Sequence, residues 1–124
     1  MRMNAAPRTD AGAEATIVKE PEECRSMDEV RNGVDALDAR IVALLANRFR
    51  YMDAAARIKQ ARSEVRDEAR KSAVLDQVRE AALAAGAPAG PIVGLYDALV
   101  EASIAYELDR FDSRLITGVT AATP

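Results

Sequence analysis

At 124 residues and a formal net charge of −3, the chain is long enough for one small domain and too acidic to favour a nucleic-acid partner. It has no histidine and a single cysteine, Cys24, which excludes an internal disulfide and argues against zinc sites and histidine-dependent triads. No apolar run reaches membrane-spanning length, and Arg2 and Arg8 are not followed by the apolar core of a secretory signal. The expected setting is therefore cytoplasmic, with no membrane partner.

Residues 1–25 contain Pro7, Gly12 and Pro21 among small residues and read as a flexible leader. Ser26 and Glu29 fit a capping box that opens a helical domain over residues 26–114. From Asp28 to about Gln60 the apolar positions are Val30, Val34, Leu37, Ile41 and Leu44, then Tyr51, Ala55 and Ile58. Those steps of four and three are the period of a helix packed on other helices. Arg48 interrupts the series where an apolar residue is expected. A guanidinium on a buried seam costs several kcal/mol unless an anion offsets it, so either an internal carboxylate or a bound anion is required.

Ala61 to Arg66 is polar and reads as a short loop or a kink. A second helix begins near Asp67 and ends at Gly86, which is suited to the left-handed position after a helix. Ala87 to Gly90 form a turn, and Pro91 is placed at the first position of a third helix. That helix carries Ile92, Leu95, Tyr96, Leu99, Ser103, Tyr106 and Phe111 on one broad face and fades between Asp112 and Arg114, leaving 115–124 as a flexible tail. The fold class is all-α: a three-helix protomer with one long N-terminal helix.

About 33 residues of first helix, at ~1.5 Å each, span roughly 50 Å. A compact chain of this length is only about 30–35 Å across. One copy cannot cover such a helix, so an intertwined helical homodimer is expected.

Arg48 and Lys59 recur within about 20° of one helical face, roughly 16 Å apart along the axis, and can hold a small dianion between them. Arg31 lies about 25 Å from Arg48 and roughly 100° round the helix, so a partner copy would have to deliver it. The plainer readings are an Arg31–Asp35 pair on one helix, an Arg48 that snorkels or meets a carboxylate, and a solvated Lys59. Asp67 and Arg70 share the first turn of the second helix, as a surface ion pair or as two groups facing one pocket. Leu99, Ser103 and Glu107 form a line at i,i+4. A half-buried Glu107 either donates a proton in its neutral form or pairs with a cation. Cys24 has no histidine to activate it, so thiol catalysis is not expected.

The run from Val30-Arg31 through Asp35 and Asp38 to Asn47-Arg48, closing on Ala56-Arg57-Ile58-Lys59, resembles the small all-helical chorismate mutases and the related isochorismate-pyruvate lyases. The resemblance covers about Pro21 to Asp112 and implies an intertwined homodimer with two equivalent sites, no metal and no cofactor. It implies a small dicarboxylate substrate, with Arg48 on one carboxylate and Arg31 of the other protomer on the second. Lys59 and Glu107 would donate to the ether oxygen of the breaking C–O bond, and Asp67, Arg70 and Ser103 would contact substrate. The implied reaction is chorismate to prephenate. The leader Pro21-Glu22-Glu23-Cys24 looks like that of the lyase branch, and Lys71 stands where many mutases have a glutamate that meets the ring hydroxyl. Both keep open the lyase reaction, isochorismate to salicylate and pyruvate, or a mutase for a modified chorismate. A helical dimerisation module is the non-enzyme alternative.

Overall fold

The structure, a computed structural model, describes residues 17–122, with side chains described to Arg114. Three helices account for most of it: α1 (Met27–Ile58), α2 (Glu68–Ala84) and α3 (Ala89–Ala122). Single 3-10 turns at Pro21–Glu23 and Arg62–Glu64 precede α1 and α2. The all-α, three-helix expectation holds. Among the described residues no helix is long and apolar enough to cross a membrane. The chain divides into two compact units, residues 1–46 and 47–124, and α1 runs through the boundary.

The first unit holds the leader and the start of α1. Ser26 caps the helix as expected, its hydroxyl accepting from the Glu29 N–H at 3.1 Å. Glu29 reaches one residue further back than a standard capping box, accepting the Arg25 N–H at 2.7 Å, and Lys19 pairs with it at 2.9 Å. The Arg25 N–H, followed by Lys19, holds the Glu29 carboxyl below the ordinary carboxylate range. Residues 17–25 of the expected leader thus contain a 3-10 turn, while residues 1–16 lie outside the described part. The expected seam of α1 is uncovered in the single chain, with Val34, Leu37 and Ile41 about half exposed and Leu44 68% exposed.

The second unit has the core. Ala56, Val65, Val100, Ile104 and Phe111 are buried together, with Val74, Tyr96 and Leu108 packed against them. They come from the end of α1, the connector, α2 and α3, which is why the helical stripes of three separate segments are needed to build it. Beyond the end of α1 at Ile58, Ala61 is extended, and the Glu64 carboxylate accepts the N–H groups of Gln60 at 2.8 Å and Ala61 at 3.2 Å.

Helix α2 is capped at its start by Asp67, whose side chain accepts the Arg70 N–H at 2.9 Å. Its end is a Schellman motif: Ala87 N–H bonds the Ala82 carbonyl and Gly86 N–H the Leu83 carbonyl, with Gly86 at φ +73° as its position predicts. Helix α3 differs from expectation at both ends. It begins at Ala89, so Pro91 occupies the third rather than the first position. The N–H groups of the whole first turn lack intrahelical partners, and proline is tolerated there. It also continues to Ala122 instead of fading near Arg114, so residues 115–122 are helix and only 123–124 of the expected tail lie outside the described part. Gly118 inside that stretch is a propensity cost of about 1 kcal/mol, too small to stop a helix already propagating.

Candidate active site

The second unit contains a cavity of about 150 Å³. Its polar wall is Arg48 from α1, Asp67 at the α2 cap, Arg70 and Lys71 from α2, and Ser103 and Glu107 from α3. Met52, Val65, Val74, Val100 and Ile104 form the apolar wall. Five expected site residues therefore converge, although they are scattered over sixty positions of sequence. A volume of this size is below the ~300–1,000 Å³ of most ligand pockets, as expected of a small ligand or of a site that another chain completes.

Arg48 is half-buried, and among the described residues no internal carboxylate meets it. Its Nη1 donates to Ser103 Oγ at 2.7 Å, and its guanidinium lies 5.6 Å over the Tyr96 ring. Ser103, itself buried, passes its own proton to the Leu99 carbonyl at 2.7 Å, so the hydroxyl is held with its lone pair toward Arg48. Among the described residues Arg48 forms no ion pair. Its charge is oriented and not neutralised, which is the condition for binding an anion.

Lys59 does not line the cavity but reaches the residue that does. Its Nζ is 2.7 Å from Oε2 of Glu107, a carboxylate only 4% exposed. The contact is an ionic one, off the line of a hydrogen bond, and Oε2 has no other polar partner. The ammonium therefore keeps protons available for another acceptor. Of the two readings for Glu107, the contact favours a carboxylate paired with a cation, the cation being lysine.

Lys71 is the other cation on the wall, and its charge is already matched. Nζ contacts Glu101 at 2.6 Å and Asp97 at 2.9 Å. Glu101 first, then Asp97, pushes the Lys71 ammonium above the ordinary lysine value. Arg66 grips Glu101 with both terminal nitrogens, at 2.7 and 3.2 Å. Arg66 and then Lys71 hold the Glu101 carboxyl down to about 2. Arg70 also lines the cavity: among the described residues it has no ion pair, and its backbone N–H donates to Asp67. With Lys59 set against Glu107 and Lys71 against two acids, the cavity keeps two uncompensated guanidinium groups, Arg48 and Arg70.

Arg31 belongs to the first unit, where it is exposed and 3.6 Å from Asp28 on its own helix, not from Asp35. Sequence reasoning did not single out Tyr96 as a partner of Arg48, nor Asp97 and Glu101 as partners of Lys71. The i,i+4 spacing of Asp97 and Glu101 was the one available signal, and it marks a double acidic face without saying which cation meets it.

The family described as chorismate mutase type II matches residues 30–108. The isochorismate pyruvate lyase of Pseudomonas aeruginosa is similar: 29% identical over 91 residues, covering 73% of this chain and 90% of the lyase.

Proposed function

Because the chain belongs to the chorismate mutase type II family, we propose that it rearranges chorismate to prephenate at the cavity bounded by Arg48, Ser103 and Glu107. The observation that carries this reading is Arg48: a half-buried guanidinium, aimed by Ser103 and Tyr96, with no carboxylate among the described residues to neutralise it.

The reaction is a pericyclic shift in which one C–O bond breaks as one C–C bond forms. It needs no nucleophile, only a folded-back substrate and stabilisation of charge on the departing ether oxygen. Arg48 holds one carboxylate, and Arg31 from a partner protomer holds the other, which fixes the enolpyruvyl arm over the ring. Lys59 donates to the ether oxygen as negative charge develops there, and the Glu107 carboxylate holds the ammonium in place. Asp67 and Arg70 face the ring, and Ser103 keeps Arg48 in register. No metal or cofactor takes part.

The homodimer is part of the same proposal. Val34, Leu37, Ile41 and Leu44 leave an apolar stripe on α1 that a second copy would cover, each side chain contributing on the order of 1 kcal/mol for its exposed half.

A second reading is the lyase reaction, isochorismate to salicylate and pyruvate, in which a hydrogen passes from ring to side chain as the C–O bond breaks. The similarity to the Pseudomonas lyase and the presence of Lys71 on the cavity wall favour it. Incubating the purified protein separately with chorismate and isochorismate decides between them. Prephenate from the first supports the mutase, and salicylate with pyruvate from the second supports the lyase. Turnover of neither returns the chain to a helical dimerisation module.

A further inference from the structure

Arg114 lies on α3 two turns beyond Glu107 and takes no part in the cavity. Its Nη1 is 2.6 Å from the Ala56 carbonyl, 2.9 Å from that of Arg57 and 2.7 Å from that of Lys59. These are the last carbonyls of α1 and its continuation, groups that have no intrahelical donor and sit at the negative end of the helix dipole. One nitrogen has two protons, so the three short contacts are shared. The guanidinium is itself fixed from below, 4.4 Å over the ring of Phe111, which is 2% exposed.

Lys59 is thereby tied at both ends by one helix. Glu107 meets its ammonium and Arg114 meets its carbonyl. The two α3 residues are seven apart, within about 20° of one face and roughly 10 Å along the axis, which matches the reach of a lysine side chain with its backbone. On the other side of Lys59 the Gln60 and Ala61 N–H groups are held by Glu64. The last turn of α1, where a helix would ordinarily fray, is clamped at the residue that bears the donor.

We propose that Arg114 is a positioning residue for Lys59: it fixes the α1 C-terminus so that the Lys59 ammonium is presented beside Glu107. This rests on the reading of Lys59 as the donor to the ether oxygen. Arg114 touches no substrate and acts through the backbone of the α1 C-terminus, the Lys59 carbonyl included. It therefore governs the chemical step and leaves the carboxylate clamp at Arg48 intact.

The test is a double-mutant cycle on the full chain, with Arg114→Ala, Lys59→Ala and the pair, assayed on whichever of chorismate and isochorismate the wild type consumes. Misplacing a donor by an ångström costs on the order of 100-fold, so Arg114→Ala should lower kcat by about 10- to 100-fold and leave KM within about threefold. In the Lys59→Ala background the same substitution should change kcat by less than about threefold, because the group it positions is gone. Arg114→Lys keeps a charge and part of the carbonyl contact and should recover part of the lost kcat, and it serves as the test variant if Arg114→Ala fails to fold. An equal loss from Arg114→Ala in both backgrounds overturns the proposal, since the residue would then act on the fold at large. So does a loss that falls on KM. Full activity in Arg114→Ala beside an inactive Lys59→Ala overturns this proposal alone, whereas full activity in Lys59→Ala overturns the donor reading beneath it.

Discussion

Replacing Arg48 by methionine separates function from stability. The substitution removes a charge-assisted hydrogen bond to Ser103 at 2.7 Å, about 1.5–3 kcal/mol. It also removes the cation–π contact with Tyr96 at 5.6 Å, about 0.5–1 kcal/mol. Against this, the wild type holds a half-buried guanidinium without a carboxylate partner, a desolvation cost of several kcal/mol that a thioether of similar reach does not carry. Ser103 is not orphaned, because its proton still goes to the Leu99 carbonyl. The terms nearly cancel, so stability should change by no more than about 1 kcal/mol, or roughly 6 °C in Tm. Turnover should not be spared. Truncating one member of a desolvated charge pair costs about 2–5 kcal/mol, which lowers kcat/KM by about 30- to 5,000-fold. Initial rates on chorismate and isochorismate, measured beside thermal melts, check both halves. Arg57→Ala truncates an exposed side chain and keeps the backbone carbonyl that Arg114 holds, so it is the control and should stay within about twofold. Arg48→Met with turnover near wild type would remove Arg48 from the site. A Tm loss of tens of degrees with a matching loss of rate would make it a structural residue instead.

Three further outcomes follow from particular contacts. Ile41→Glu places a charge on the uncovered α1 stripe and should convert a dimer of the 13.3 kDa chain into a monomer with little turnover; sedimentation equilibrium reads the mass, and a wild type already monomeric defeats the proposed assembly. Glu101 has its carboxyl lowered from 4.5 to about 2 in the folded chain, so it contributes stability above the unfolded value that is lost as pH falls through the folded one. Glu101→Gln should therefore melt below wild type near neutrality, with the gap closing as the pH falls from 4.5 toward 2; a gap that widens in acid reverses the assignment. Gly86→Ala meets no atom within 4 Å of the added Cβ, so its cost is the backbone strain at φ +73° alone. That is about 1 kcal/mol, read as a Tm drop of several degrees, and an unchanged Tm would mean the turn adjusts freely.

What the sequence determined by itself was local. Helical periodicity, the Ser26 cap, the helix start near Asp67 and the Gly86 terminator depend on residues within one or two turns of each other, and all are present in the structure. Family resemblance brought Asp67, Arg70, Ser103 and Glu107 into consideration together, and the cavity joins them to Arg48. The tertiary structure alone decided which charges meet. Glu107 faces Lys59, Lys71 is matched by Asp97 and Glu101, Arg48 ends on a hydroxyl and a ring, and Arg114 closes the end of α1. Each of these joins residues on different segments, and the register between packed helices is set by side-chain interlocking over the whole contact. A period of 3.6 says which face a residue is on, but not which residue stands opposite. That is why a charge out of place on the first helix was legible from the start, while the serine and tyrosine that orient it were not.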